Sequence, residues 1–259
     1  QEKMNMAVNY CNESVISDFI LENYNTDEKE LLEKIGLKFD IIPSNYDEKL
    51  AIAKKIASYA KNNDVIGFGS GSTSFLAVQE IAKRVRNEGL NIIAIPTSNE
   101  IRMVCTSLGV PVATLDDVRP DWGFDGADEV SSNGWLIKGR GGAMFNEKLV
   151  MSNSPKTFIL VDKSKFVTKL CEKFPIPVEC VPAAYKSVTT RLYELGADNV
   201  HLRLSGKAKD GPILTENGNY ILDVVFSHVD GSLESSIKQI VGVLESGLFV
   251  DYNIEILSC

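Results

Sequence analysis

A lysine and a glutamate stand on either side of a glycine-rich loop in the stretch KGRGGAMFNEKLV, residues 138–150. Lys138 can donate hydrogen bonds beside a flexible loop, and Glu147 is a carboxylate of the kind that moves protons in catalysis. The sequence NEKLVMSN is typical of a helix, on which Glu147 could instead be an exposed carboxylate paired with the neighbouring Lys148. Taken alone, this stretch favours the exposed carboxylate, so the rest of the chain must decide.

A second glycine-rich stretch, GFGSGSTSF at residues 67–75, lies between a predicted strand and a predicted helix. Glycines let a ligand approach the backbone, and the N–H groups at a helix start favour anions. Ser70, Ser72 and Thr73 add hydroxyl donors. The stretch is not a Walker A loop, and it lacks the dinucleotide fingerprint because Ser74 occupies the place of the third glycine. The pattern favours phosphate binding over a plain turn capped by serine.

Carboxylates cluster in DGADEV, where Asp125, Asp128 and Glu129 lie at the end of a predicted strand. Ligands of open α/β sheets bind beyond the carboxyl ends of the strands. These side chains could accept hydrogen bonds from a polyol, bind Mg²⁺ or form a solvated acidic turn, and the motif alone does not choose among them. Lys165, just after the strand in TFILVDKSK, is either an anion contact or a surface lysine.

The elements that must position these residues alternate between helix and strand from residue 47 onward. Short apolar runs such as DVIGF, NIIAI, VPVATL (110–115) and TFILV are typical of buried strands, and the segments between them have helical spacing. This order predicts an α/β fold with a Rossmann-like, mostly parallel sheet and helices on both faces.

The pattern changes near residue 175, where the predicted order becomes β-α-β-β-α-β, as in ferredoxin-like domains. We therefore expect a small α+β domain over residues 171–246. The catalytic α/β domain would comprise residues 45–170 and 247–259, with the C-terminal tail returning to the first sheet. Residues 1–44 are expected to form an acidic, helical N-terminal extension.

The composition excludes several classes of function. The 259 residues carry a net charge of −8, and the first 50 contain eleven acidic residues, five lysines and no arginine. Without a basic cluster, a nucleic-acid partner is not expected, and no apolar run is long enough for a membrane helix. The five cysteines are scattered without a Cys-x-x-Cys pair, which is typical of reduced thiols in a cytosolic protein.

Together, these stretches resemble ribose-5-phosphate isomerases of the A type, from about residue 47 to the C-terminus. The matching motifs are GSGST (69–73), TSNEI (97–101), DGADE (125–129), KGRGGA with NEKLV (138–150), DKSK (162–165), PIPVE (175–179) and KDGPILTENGNYILDV (209–224). Their order and spacing are specific in combination. The resemblance does not extend to the acidic segment before residue 45.

The resemblance implies the interconversion of D-ribose 5-phosphate and D-ribulose 5-phosphate in the pentose phosphate pathway. It implies Glu147 as the base that shuttles a proton through a cis-enediol, with Asp125, Lys138 and Asp128 as the other catalytic residues. The residues implied to bind the substrate are Ser70, Gly71, Ser72, Thr73, Asp125, Gly126, Ala127, Asp128, Lys138, Gly139, Arg140, Gly141 and Lys165. The family also implies a homodimer or homotetramer that uses neither a metal nor an organic cofactor, and the cysteine pattern predicts a cytoplasmic location.

Two residues depart from the usual family pattern. Arg140 interrupts a run of glycines, which would cost about 1–2 kcal/mol if that position needs a positive φ. Asn146 stands where an arginine is common. Two other functions remain open at this point: a non-catalytic sugar-phosphate sensor and an acyl-CoA transferase-like enzyme. The acidic N-terminal segment and Glu147 count against the sensor, and the DGADE and GSGST motifs suit a phosphosugar better than CoA.

Overall fold

The structure is a computed structural model, and it describes residues 44–206 and 210–258. The extension predicted over residues 1–44 lies outside the described residues, except for residue 44. The described α-helices are α1 (Tyr46–Tyr59), α2 (Ser72–Glu88), α3 (Asn99–Ser107), α4 (Met144–Asn153), α5 (Tyr185–Glu194) and α6 (Leu233–Lys238). The described strands are β1 (Val65–Phe68), β2 (Ile93–Pro96), β3 (Trp122–Gly126), β4 (Glu129–Val130), β5 (Leu136–Ile137), β6 (Thr157–Leu160), β7 (Ile176–Cys180), β8 (Asn199–Leu202), β9 (Tyr220–Val225), β10 (Val243–Ser246), β11 (Leu248–Phe249) and β12 (Ile254–Leu257).

Five strands form a sheet in the order β12-β6-β3-β1-β2, in which every neighbouring pair is parallel. Its strands are apolar runs covered on both sides, and all four residues of β1 are buried. Ile66 and Phe68 of β1 pack with residues of α1 and α2, whereas Val65 packs with Val150 of α4 on the opposite face. The predicted α/β class, a Rossmann-like sheet with helices on both faces, is confirmed.

A separate antiparallel sheet has the strand order β10-β7-β9-β8. Along the chain its elements run β7-α5-β8-β9-α6-β10, which is the predicted β-α-β-β-α-β order. Val178 of β7 and Leu192 of α5 belong to a core cluster of this unit. A smaller ferredoxin-like α+β unit is thus confirmed. The boundaries given for it, residues 171–246, and those of the larger domain, residues 45–170 and 247–259, stay predictions.

Two expectations about individual strands have different outcomes. The C-terminal tail does return to the parallel sheet, as β12 beside β6. The strand predicted over residues 110–115 is wrong, since this segment makes only an isolated bridge between Val112 and Ala94. Two backbone bonds hold it there, from Ala94 N to Pro111 O and from Ala113 N to Ala94 O. Pro111 has no N–H to extend the ladder.

A short sheet of order β11-β5-β4 holds the segment that leads into Lys138. The Lys138 N–H donates to the carbonyl of Gly247 at 2.8 Å, and the Gly247 N–H donates to the carbonyl of Pro177 at 2.7 Å. A Cβ at Gly247 would lie 2.0 Å from the Lys138 carbonyl oxygen, so only glycine permits this approach. Among the helices that the structure describes, none is both long and apolar enough to cross a membrane.

Candidate active site

Three loops meet at the carboxyl edge of the parallel sheet, where open α/β folds bind their ligands. Residues 69–71 connect β1 to α2, β3 ends at Gly126, and residues 138–143 connect β5 to α4. Between these loops lies a cavity of about 470 Å³. The site residues predicted from three distant parts of the sequence are therefore brought together by the topology of the sheet.

Lys138 lies at the centre of the site and contacts two carboxylates. Its Nζ is 3.0 Å from Asp125 Oδ2 and 3.2 Å from Glu147 Oε1. The three residues are only 2%, 2% and 5% exposed. The alternative of Glu147 as an exposed partner of Lys148 is thus wrong. Lys148 instead extends to Glu234, at 2.6 Å.

Asp125 is fixed by backbone donors beneath the glycine-rich loop. Its Oδ1 accepts hydrogen bonds from the N–H groups of Ser70, at 3.1 Å, and Gly126, at 2.7 Å. A Cβ at Gly69 would lie 2.3 Å from Asp125, so the loop can approach this closely only because residue 69 is glycine. Asp125 contacts Lys138 from below and does not line the 470 Å³ cavity. The direct contact of Asp125 with substrate, which the sequence suggested, stays a prediction.

Burial and charge together set the protonation of this cluster. Burial raises the pKa of Glu147 to about 7, while Lys138 pulls it down and Asp125 pushes it further up. Burial also raises the pKa of Asp125, against the opposing effect of Lys138. Burial alone would lower the pKa of Lys138, but Asp125 and Glu147 outweigh it and raise that pKa. Lys138 is therefore charged at neutral pH, and the pKa of Glu147 lies near neutral pH.

Glu147 keeps one oxygen free for chemistry. Its Oε1 faces Lys138, whereas the buried Oε2 has no hydrogen-bond partner within the described part of the chain. A buried carboxylate oxygen without a donor is costly and calls for an explanation. Glu129 and Glu179 each have such an oxygen as well, but neither lines the cavity. Glu147 lines the cavity, which places its carboxyl group beside a bound molecule.

The glycine-rich loop before α2 supplies hydroxyl and N–H groups at the other side of the cavity. Ser70, Gly71, Ser72 and Thr73 line it, and Gly71 has a φ of +92°. The Ser70 hydroxyl is 2.8 Å from the hydroxyl of Thr97. Because α2 starts at Ser72, its unpaired N–H groups favour an anion here.

Two lysines add positive charge near this loop. Lys165, which the sequence suggested as an anion contact, lines the cavity. Lys49 was not predicted, because it lies in an amphipathic helix without any local motif. Its buried Nζ is 3.2 Å from Ser72 Oγ and 3.7 Å from Asp162 Oδ2. Burial lowers the pKa of Lys49, Asp162 opposes this, and the charge of Lys165 lowers it further.

The loop after Lys138 accommodates Arg140 without strain. The positive φ angles fall at Gly139 (+87°) and Gly142 (+83°), and Arg140 is not among the residues of positive φ. The cost considered for an arginine at this position therefore does not arise. The Arg140 N–H donates to Asp128 Oδ2 at 3.3 Å, and its guanidinium lies 5.4 Å from the centre of the Phe174 ring.

The third carboxylate of the DGADEV motif points away from the cavity. Glu129 is fully buried, and its Oε1 accepts hydrogen bonds from the N–H groups of Lys173, at 2.5 Å, and Phe174, at 2.7 Å. Asp128, in contrast, lines the cavity. No group of three His, Cys, Asp or Glu side chains among the described residues is arranged to hold a metal ion.

Most of the predicted residues surround one cavity, and several of its other residues were not predicted. The predicted residues that line it are Ser70, Gly71, Ser72, Thr73, Gly126, Ala127, Asp128, Lys138, Gly139, Arg140, Gly141, Glu147 and Lys165. The residues that sequence reasoning missed are Ser98, Glu100, Ala143, Leu160, Val161 and Glu216. The TSNEI motif was a signal for the first two. Glu216 lies within the matched stretch KDGPILTENGNYILDV, but nothing there linked it to the site.

A buried glutamate beside a lysine, with a glycine-rich loop at a helix start, lies at the carboxyl edge of an α/β sheet, an arrangement typical of an enzyme that acts on an anionic substrate. A model of the family ribose 5-phosphate isomerase A (phosphoriboisomerase A) matches residues 93–258. Ribose-5-phosphate isomerase A of Methanocaldococcus jannaschii is 46% identical over 209 residues, covering 80% of this chain and 91% of that protein. The chain belongs to the ribose 5-phosphate isomerase A family.

Solved structures agree with this assignment. Ribose 5-phosphate isomerase A from Methanocaldococcus jannaschii superposes with a TM-score of 0.79 at 44% identity, covering 82% of this chain and 95% of that one. A D-ribose-5-phosphate isomerase in complex with phospho-erythronic acid gives a TM-score of 0.76 at 36% identity, covering 80% and 93%. Family membership makes the chain an aldose–ketose isomerase.

Proposed function

We propose that the chain interconverts D-ribose 5-phosphate and D-ribulose 5-phosphate, with Glu147 carrying the proton between C2 and C1. The observation that carries this proposal is the free Oε2 of a buried Glu147 whose Oε1 is 3.2 Å from Lys138. A pKa of about 7 suits a group that must both accept and return a proton near neutral pH.

The reaction begins on the open-chain sugar. Glu147 accepts the proton from C2 of the aldose, and the C–H electron pair forms the C1–C2 double bond of a cis-enediolate. The carbonyl π electrons move to O1, where negative charge develops. Glu147 then returns the proton to C1, while the proton of the C2 hydroxyl passes to O1. The product is the ketose, and no atom is gained or lost.

Lys138 supplies the charge that the enediolate needs. A cation held in a buried site stabilises a developing oxyanion strongly, because it is already oriented and little water screens it. Asp125 is proposed as a positioning residue, since its contact at 3.0 Å holds the Lys138 ammonium. Asp128 lines the cavity and is proposed to orient sugar hydroxyls and to assist proton transfer between O1 and O2.

The loop at Ser70–Thr73 is proposed to bind the phosphate, with Lys165 and the newly located Lys49 adding charge. Hydroxyls, helix N–H groups and lysines are the usual protein partners of phosphate. The solved relative that holds phospho-erythronic acid supports a phosphorylated polyol acid as a ligand of this kind of site. A free phosphosugar is thus the proposed partner. The protein itself is proposed to be cytoplasmic and to form a homodimer or a homotetramer.

The test is direct incubation of the chain with D-ribose 5-phosphate while the formation of D-ribulose 5-phosphate is followed. We expect turnover that persists in EDTA, because the proposed steps use only side chains. A parallel reaction in deuterated water should label the product at C1, at least partly, since Glu147 can exchange its proton with solvent. Absence of turnover would contradict the proposal. Loss of turnover in EDTA that Mg²⁺ restores would indicate that the DGADE carboxylates bind a metal ion.

A further inference from the structure

A turn of the antiparallel sheet reaches across to the proposed active site. This turn, residues 214–219, precedes β9, and Glu216 is at its tip. The Glu216 Oε2 accepts hydrogen bonds from the Asn99 N–H, at 3.1 Å, and from the Asn99 side-chain amide. The Glu216 N–H donates to the carbonyl of Gly142 at 3.3 Å. One residue therefore joins the start of α3 to the loop that carries Lys138.

The turn has its shape independently of the Glu216 side chain. Beneath it, the fully buried Glu179 accepts three side-chain hydrogen bonds at Oε1: from Thr215 at 2.7 Å, Asn217 at 3.2 Å and Asn219 at 2.9 Å. The turn also lies against the loop of residues 138–143, since a Cβ at Gly142 would be 3.6 Å from the Cα of Thr215, which is van der Waals contact. Shortening Glu216 should thus leave the backbone of the turn in place.

The Glu216 side chain stands between two cavities. The proposed reaction cavity is about 470 Å³, and a neighbouring cavity is about 600 Å³. Ser98 and Glu216 line both of them. Helix α4 also lies between them, because Glu147 lines the reaction cavity whereas Asn146 and Val150 line the neighbouring one.

The neighbouring cavity can accept a polar chain. Its lining includes Asn99, Arg102, Thr114 and Asp117, together with apolar residues of β2 and α4. Arg102 and Asn99 already lie within hydrogen-bonding distance of each other, at 3.4 Å. A sugar hydroxyl that entered from the reaction cavity would find donors and acceptors there.

We infer that the Glu216–Asn99 bridge is a partition that limits the length of the sugar phosphate this cavity accepts. The inference rests on the proposed function of the cavity. An open-chain pentose phosphate lies between the phosphate loop and Glu147, and a longer aldose phosphate needs additional room. Glu216 lines both cavities and therefore stands at their shared boundary. Glu216 is therefore a specificity-determining residue.

The experiment compares kcat/KM for D-ribose 5-phosphate with kcat/KM for D-allose 6-phosphate. Allose extends ribose by one hydroxymethylene with all hydroxyls on the same side, so length is the main difference. In Glu216→Ala, the ratio of allose to ribose phosphate should rise at least about tenfold, as one methylene-sized group changes discrimination by about 10–200-fold. Glu216→Gln is the matched control, because the amide fills the same space and its oxygen can accept the Asn99 bond.

Asn99→Ala provides a second variant that weakens the bridge from the other side. It should raise the same ratio by a smaller factor, because the backbone N–H of residue 99 can still bond to Glu216. A merely structural role would lower kcat/KM for both sugars equally and leave the ratio unchanged. An unchanged ratio in Glu216→Ala, or an equal change in Glu216→Gln, would overturn the inference.

Binding measured without turnover separates this inference from the proposed function. Calorimetric Kd values for the four-carbon 4-phosphoerythronic acid and its five- and six-carbon homologues should show that Glu216→Ala binds the longest acid at least about tenfold tighter relative to the shortest than wild type does. Wild type without isomerase activity would contradict the proposed function, whereas an unchanged binding ratio would contradict the partition.

Discussion

As the proposed base, Glu147 has a protonation state that depends on Lys138, which it contacts at 3.2 Å. Only the ionised carboxylate can accept a proton from carbon, and its pKa is about 7. kcat/KM should therefore reach its plateau about one unit above pH 7 and fall as the pH drops through 7. The cause of the raised pKa is burial, and the charge of Lys138 restrains it.

Replacing Lys138 tests this dependence. In Lys138→Met the pKa of Glu147 should rise, because the cation that favours the carboxylate is lost. The acidic limb of the pH–rate profile should move to higher pH, and kcat should fall as the enediolate loses its nearby charge. The measurement is kcat/KM from pH 5 to 9 for both proteins. An acidic limb that stays in place would mean that another group sets it.

Replacing Glu147 tests its identity as the base. Glu147→Gln keeps the size of the side chain but cannot accept the carbon proton. kcat should fall about 10²–10⁴-fold, as is typical when a general base is removed. KM should change much less, because the phosphate contacts lie elsewhere. Exchange of solvent deuterium into the sugar should be lost together with isomerisation. Near-normal rates in the variant would direct the search for the base to Asp128 or Asp125.

At the scale of elements, the loop between β5 and α4 requires a glycine at residue 139 but not at residue 141. A Cβ at Gly139, where φ is +87°, would lie 2.6 Å from the Met144 Cβ, whereas Gly141 has no atom within 4 Å of such a Cβ. Gly139→Ala should lower the free energy of unfolding by about 1–3 kcal/mol. It should also reduce kcat by displacing Lys138.

Gly141→Ala is the matched control for this substitution. Its φ is not in the left-handed region and the space around it is open, so the free energy of unfolding should change by less than about 0.5 kcal/mol. Urea unfolding of both variants gives the comparison. Equal effects on stability would mean that the loop does not distinguish the two positions.

The loops of the site were predictable because each has a local signal of glycine, hydroxyl or carboxylate residues. The orientation of α4 was not predictable, since Glu147 and Lys148 are adjacent and the sequence does not show which of them faces the cavity. The place of Glu216 in the site could not be predicted from the sequence, for another reason. It bonds to Asn99 across 117 positions of sequence, and no spacing rule connects them. Pro111, which has no N–H to donate, was the sequence signal that the strand predicted over residues 110–115 would not form.

At the scale of the whole molecule, Lys148 ties α4 to the antiparallel unit. Its Nζ contacts Glu234 of α6 at 2.6 Å, Glu245 of β10 at 3.0 Å and the carbonyl of Leu248 at 2.8 Å. It also lies 4.6 Å from the centre of the Phe249 ring. Because these groups are mostly buried, they depend on one another for solvation. This network therefore fixes α4, the helix that carries Glu147, through the side chain of Lys148.

Lys148→Met should destabilise the protein by about 3 kcal/mol, because it leaves the largely buried Glu234 without this cation. Glu245 keeps a second cation, since Lys238 Nζ lies 2.9 Å from its Oε2. Lys156→Met is the control, since the Lys156–Glu255 pair is nearly half exposed at 45% and 46%. It should change the free energy of unfolding by less than about 1 kcal/mol. Chemical denaturation of both variants checks the difference. Similar losses would show that the buried network contributes no more than a surface pair.

The pairing of β6 with β12 has a consequence for the newly synthesised chain. The whole antiparallel unit lies between them in sequence, so β6 must wait for residues 254–257 before its outer edge is covered. At about 5–20 residues per second, roughly 5–20 s of translation separate the two strands. Throughout that interval, an apolar strand edge is open to other chains. This edge is where a nascent-chain chaperone would be most needed, and where a stalled ribosome would leave a product prone to aggregation.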